Sequence, residues 1–161
     1  MATELELPIE ERILQVLKGM NIGKAHFAGL GAADWSGLVA NHVEAVASLT
    51  LVCPVGVTPG NLAPITPRLL VFAADQGPGT QTLRSTVGGL SDARLSILQD
   101  YINLLWADMV ADRTDEIKSS MLDFLGAIDR DSDVGPVAPA PHWSCFLWLW
   151  LHPSGDRSYL L

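Results

Sequence analysis

Apolar residues recur at helical spacing from about Pro8 to Met20: Ile9, Ile13, Val16, Leu17 and Met20 fall on one stripe, while Glu10, Glu11, Arg12, Gln15 and Lys18 occupy the remaining surface. This pattern predicts an amphipathic helix with one buried face. Gly19 and Gly23 punctuate it. Ala25 to Ala28 then predicts a short buried strand, closed by the small-residue cluster Gly29-Leu30-Gly31-Ala32-Ala33 as a tight turn. Asp34 is placed to cap a second helix carrying Trp35, Leu38, Val39 and Val43, and Ser48 to Cys53 is a continuous β-prone run stopped by Pro54. Strand, helix, strand in this order is a βαβ unit, which predicts a parallel sheet.

Pro54, Pro59, Pro64 and Pro67, together with Gly56 and Gly60, predict an extended connection. Arg68 to Phe72 predicts a third parallel strand, Ala73 to Gly79 a turn, and Thr80 to Val87 a helix. Leu95, Ile97 and Leu98 within Ala93 to Gln99 suit either a strand or the start of a long helix, and periodicity alone does not decide. Farther on, Trp106, Val110, Arg113, Ile117, Met121, Phe124 and Ile128 mark one side of a long helix, with Asp112, Asp115, Glu116 and Lys118 mostly on the other. Past Asp129 the chain changes character. Asp131 to Pro141 reads as a Pro/Gly/Ala linker, and Trp143 to Leu151 holds three of the five tryptophans. The expected organisation is a core over residues 1–129 and a linker with a Trp-rich tail over residues 130–161.

Composition narrows the classes. The 161 residues are 48% hydrophobic and 17% charged, which suits one domain with a real core and excludes extended disorder for most of the chain. Ten Lys plus Arg against eighteen Asp plus Glu give a formal charge of -8, and with no basic cluster to override it nucleic acid is not an expected partner. Cys53 and Cys145 alone build neither a disulfide framework nor a four-ligand zinc site. An acidic N-terminus without a basic n-region, and a longest late apolar run of only Cys145 to Leu151, predict no secretory signal and no membrane span, so the expected location is the cytoplasm.

Two strand-turn-helix devices compete for the cluster after Ala28. A dinucleotide fingerprint needs a third glycine, and here Asp34 would set a negative charge beside the phosphates while the next strand ends in Cys53-Pro54 without a ribose-binding acid, so no cofactor is expected. The other device is the nucleophile elbow, Gly-x-Ser-x-Gly. Ile22 to Pro54, with its His-x-Glu-x-Val-x-Ser-Leu-x-Leu phrase from His42 to Leu51, resembles the elbow strand, elbow helix and following strand of the α/β-hydrolase superfamily. Pro67 to Pro78 resembles the strand whose following loop carries the catalytic acid. Arg94 to Leu125 resembles the last core strand and the closing helix. The resemblance covers about Glu10 to Leu125 and implies an α/β fold, a partial hydrolase-like parallel sheet of about four strands with flanking helices, in which Ala93 to Gln99 is a strand.

Carried over residue by residue, the resemblance places Gly31 where the family has its nucleophilic serine and Asp75 near its acid. Tyr101 to Leu105 holds no histidine to act as base, and the loop supplying the first oxyanion donor would precede the residues encoded here. Asp34 lies three residues past Gly31, where helix capping explains it. Ser36, one turn into the elbow helix, reads as a packing or solvated residue, and His26 in mid-strand and His42 in mid-helix read as structural. His142, Cys145 and His152 lack a fourth metal ligand, so no metal is expected. The usual cap insertion, between Cys53 and Pro67, is reduced to a short loop, and the elbow strand, central in the family, becomes a sheet edge. The functional expectation is a non-catalytic or vestigial α/β-hydrolase-like protein. The alternatives are a weak carboxylic-ester hydrolase using groups around Gly31, Asp34 and Asp75, and an interaction or dimerisation module in which the exposed edge makes a homo-oligomer.

Overall fold

The structure is a computed structural model that describes residues 7–30, 34–54, 58–77, 79–102 and 106–131. Helix α1 (Ile9–Gly19) leads into strand β1 (Ala25–Leu30), followed by α2 (Ser36–Asn41), β2 (Val46–Val52), the short α3 (Pro59–Leu62), β3 (Leu69–Gln76), α4 (Thr80–Gly88), β4 (Arg94–Ile102) and the long α5 (Trp106–Asp131). The four strands form one parallel sheet in the order β1-β2-β3-β4, the same order as along the chain. This is the α/β architecture the sequence predicts, and β1 stands at its edge as expected.

Side chains alternate between the two faces of the sheet. Phe27, Leu49, Leu51, Leu69, Val71 and Ala73 share one face, where they pack with Ile13 and Leu17 of α1, Leu38 and Val39 of α2, Leu62 and Ile65 after β2, and Leu83 and Val87 of α4. Val52, Leu70, Phe72 and Leu98 face the other way and meet Ile117, Phe124 and Ile128 of α5. The helices that connect consecutive strands thus gather on one side, and α5 alone of the described helices covers the second.

Several boundaries differ from the sequence reading. β3 runs on through Ala73 to Gln76, residues read as a turn; Ala73 and Ala74 are buried between neighbours in the sheet interior, where strand pairing overrides the low strand preference of alanine. The proline-rich stretch is not extended: α3 is followed by a tight helical segment over Ala63–Arg68, with Ile65 buried beneath it. Pro59 and Pro64 occupy first-turn positions, where a missing N–H costs nothing. α2 ends at Asn41, so His42 is its C-cap residue and not mid-helix, and Val43 belongs to a separate short turn over Val43–Ala45. β2 begins at Val46, two residues before the predicted start. The ambiguous Ala93 to Gln99 segment is strand, within β4. α5 bends at Arg113, whose backbone is not helical (φ -127°, ψ 25°). Ile117, Phe124 and Ile128 form its buried stripe; the side chains of Trp106 and Val110 lie outside the described residues, as does the tail 132–161.

Candidate functional site

In parallel α/β sheets the reactive groups sit beyond the carboxyl ends of the strands, so the ends of β1, β2 and β3 define where a site would lie. β1 ends at Leu30, and Gly31, the residue at the nucleophile position, lies outside the described residues. The approach to it is described. The indole of Trp35, at the start of α2, lies directly against the backbone of Gly29: a Cβ placed on Gly29 would stand 2.2 Å from Nε1 and 2.6 Å from Cε2. Only glycine permits that contact. Phe27 supports the ring from the strand side, with centroids 5.8 Å apart. Among the described residues the buried Trp35 Nε1 has no hydrogen-bond partner.

Asp34 is exposed, and its Oδ1 accepts from the Ser36 backbone N–H at 2.9 Å. Hydrogen bonds from Ser36 hold its carboxyl below the usual carboxylate range. The sequence reading of Asp34 as the N-cap of α2 is corrected here: Trp35 is the N-cap residue, and Asp34, one position before it, closes a local turn onto Ser36. At the end of β2, Cys53 takes a left-handed conformation (φ 44°) and donates its backbone N–H to the Phe72 carbonyl at 2.9 Å. Burial pushes its thiol pKa up, which keeps it protonated and unreactive.

Asp75 has the most defined geometry. Between the pairs Ala74↔Leu98 and Gln76↔Ile102, β3 supplies the single residue Asp75, while β4 supplies Gln99, Asp100 and Tyr101. Two backbone N–H groups of this bulge would go without strand partners, and Asp75 takes both: Oδ2 accepts from Asp100 N and Oδ1 from Tyr101 N, each at 2.9 Å. Those two bonds, Tyr101 first, hold the carboxyl below its ordinary range. Asp100 sits in the left-handed region (φ 54°), which aspartate tolerates better than most residues. Arg113 completes the bulge by donating from Nη2 to the Gln99 carbonyl at 2.6 Å, while its Nη1 pairs with Glu116 at 3.3 Å. The bend in α5 is therefore where the helix reaches across to tie the last strand.

The histidines are elsewhere. His26, in the middle of β1, lies opposite Ser48 of β2, and its Nδ1 is 2.7 Å from the Ser48 hydroxyl. Ser48 is fully buried, so no substrate reaches it. Burial, the largest influence, lowers the His26 pKa; Asp129 acts in the opposite sense and Lys24 adds to the lowering. His42 lies 3.8 Å from Glu44. Neither meets Asp34, Ser36 or Asp75 in a hydrogen bond or ion pair. His142, Cys145 and His152 lie outside the described residues. Among the described residues no cluster of three His, Cys, Asp or Glu is placed to hold a metal, and no helix is long and apolar enough to cross a membrane. The Asp75 clamp and the His26–Ser48 pair escape sequence reading because each joins residues more than twenty positions apart, through strand registers that only the folded sheet defines.

The four-stranded parallel sheet in chain order, with its flanking helices, is an α/β-hydrolase-like fold. In three dimensions the chain is similar to a predicted CIB-like hydrolase from Thermoplasma acidophilum, with a TM-score of 0.57 and 18% sequence identity, over 72% of this chain and 57% of that one. The chain thus spans little more than half the length of the protein it matches. No family model and no curated protein matches it.

Proposed function

We propose that this protein is a non-catalytic, vestigial form of the α/β-hydrolase-like fold. The observation that carries the reading is the engagement of Asp75: both carboxylate oxygens accept backbone N–H groups of β4, so the acid secures the sheet, and among the described residues no imidazole is bonded to it. Three features support it. Gly31, at the nucleophile position, has no side chain with which to attack. His26 is committed to a buried serine in mid-sheet. Ser36 has its backbone N–H bonded to Asp34 and no imidazole bonded to its hydroxyl among the described residues.

Purified full chain treated with a fluorophosphonate probe and assayed on short-chain aryl esters tests the reading against that of a weak ester hydrolase. We expect no covalent labelling, turnover at the background rate, and no change with Ser36→Ala. Gly31→Ser alone restores nothing, because a serine without a base remains a poor nucleophile. Asp75→Asn lowers the melting temperature and leaves ester turnover at the same background. Robust turnover abolished by Ser36→Ala or Asp75→Asn makes the protein an enzyme.

A further inference from the structure

One peptide unit in the β4 bulge is held at its two ends by charges of opposite sign. Gln99 contributes the carbonyl and Asp100 the N–H of the same planar group, and in a trans peptide these point in opposite directions. Arg113 Nη2 donates to the carbonyl at 2.6 Å, and Asp75 Oδ2 accepts from the N–H at 2.9 Å. A guanidinium and a carboxylate thus grip a single amide from opposite sides. Each polarises it in the sense that strengthens the other bond.

The gripped peptide is strained. Asp100 has φ 54°, a left-handed conformation that costs energy for any residue with a side chain. Turning the Gln99–Asp100 plane over changes that φ by about 180° and brings it into the ordinary extended region. Strain of this kind persists only where the surroundings over-determine it, and two charged hydrogen bonds do so here. One rotation breaks both, because it exchanges the sides on which the carbonyl and the N–H point. Gln99 and Asp100 are exposed, so water can take up the freed groups. The bond from Tyr101 N to Asp75 Oδ1, at 2.9 Å, lies outside this plane and keeps the carboxylate at the bulge. Arg113 is also the residue at which α5 leaves helical geometry, with φ -127° and ψ 25°. The orientation of the peptide is therefore tied to the helix that covers the second face of the sheet. We propose that the Gln99–Asp100 peptide is a two-position switch: Asp75 and Arg113 together hold it in its strained orientation, and loss of either turns it over and unties α5 at its bend.

A double-mutant cycle on the full chain tests the joint action. Asp75→Asn sets an amide NH2 where a carboxylate oxygen accepts, and Arg113→Met removes the guanidinium while keeping the length of the side chain. Because one rotation breaks both bonds, the urea midpoint of the double variant should fall no further than that of the more damaged single variant. Asp100→Gly removes the strain. In that background the peptide has no reason to turn when one partner is lost, so the two losses should add. Additive losses in the natural chain overturn the proposal, as does a coupling that Asp100→Gly leaves undiminished. Nuclear magnetic resonance supplies a reading that does not depend on how the Asp75 variant folds. A positive φ brings the amide and Cα hydrogens of a residue close together, and we expect strong cross-relaxation between them at Asp100 in the natural chain. It should be lost in Arg113→Met, although Arg113 bonds to Gln99 and not to Asp100. Its absence from the natural chain overturns the proposal, and so does its survival in Arg113→Met.

Discussion

The two faces of the sheet are built differently. On one, every buried strand residue is apolar and α1, α2, α3 and α4 all contribute to the cover. On the other, α5 is the one described helix, and the buried strand residues include Ser48 and Thr50 of β2, with His26 beside them on β1. Topology accounts for the contrast. When parallel strands follow one another in chain order, connections of one hand deliver their helices to the same side, so the first face is covered by the act of making the sheet. The second depends on what comes after β4. α5 supplies it, anchored to the bulge of β4 through Arg113 and packed on Phe72 and Leu98 through Phe124 and Ile128. Polar groups persist on this face where they satisfy each other, as His26 and Ser48 do.

Truncating Phe124 tests the contrast most severely. The ring is almost wholly buried, with the Arg94 guanidinium 5.6 Å from its centroid. Phe124→Ala is expected to cost about 3–5 kcal/mol in denaturant unfolding. Hydrogen exchange should rise in α5 and much less in α1 and α2; equal loosening of both faces would erase the distinction. Next in size is Gly29→Ala, on the first face. The added methyl meets the indole of Trp35, and overpacking of this kind costs about 1–3 kcal/mol. Pairing it with Trp35→Leu should recover part of that loss, and strict additivity would show that the contact is not the cause.

The smallest effect is a pH dependence confined to the second face. His26 has a folded pKa below its unfolded value of about 6.5, so the unfolded chain binds the proton more tightly. Its contribution to stability is therefore fully present above about pH 6.5 and is lost as pH falls through the lower folded value. Urea midpoints measured across that window should decline on acidification for the natural chain and decline less for His26→Gln. An unchanged slope would remove His26 from the account.

How much of this was readable beforehand follows the same division. The first face announces itself: the stripe of α1, the runs forming β2 and β3, and their order along the chain imply a parallel sheet with helices between strands, and resemblance identifies Arg94 onward as the last strand. The second face and the candidate site depend on pairings across the sheet. The sequence offers Asp75 as a residue near the family's acidic position, in a turn that proves to be strand, but its two backbone partners are not legible, because the bulge that creates them appears only in the register of β3 with β4. The mid-strand position of His26 suggests a structural residue but carries no sign that Ser48 is its partner. Local preference also misled where the sheet interior prevailed, as at Ala73 and Ala74, and where prolines at helix starts looked like extended chain.

The agreement between strand order and chain order has a consequence for synthesis. Each strand pairs with the one made just before it, so the sheet can lengthen by one strand at a time as the polypeptide leaves the ribosome, with each new helix docking on the side already started. The other side has no such running protection. Phe72, Leu70 and Leu98 must wait, bare, until the last turns of α5 have been translated, and in that interval the exposed apolar face is open to association with other chains.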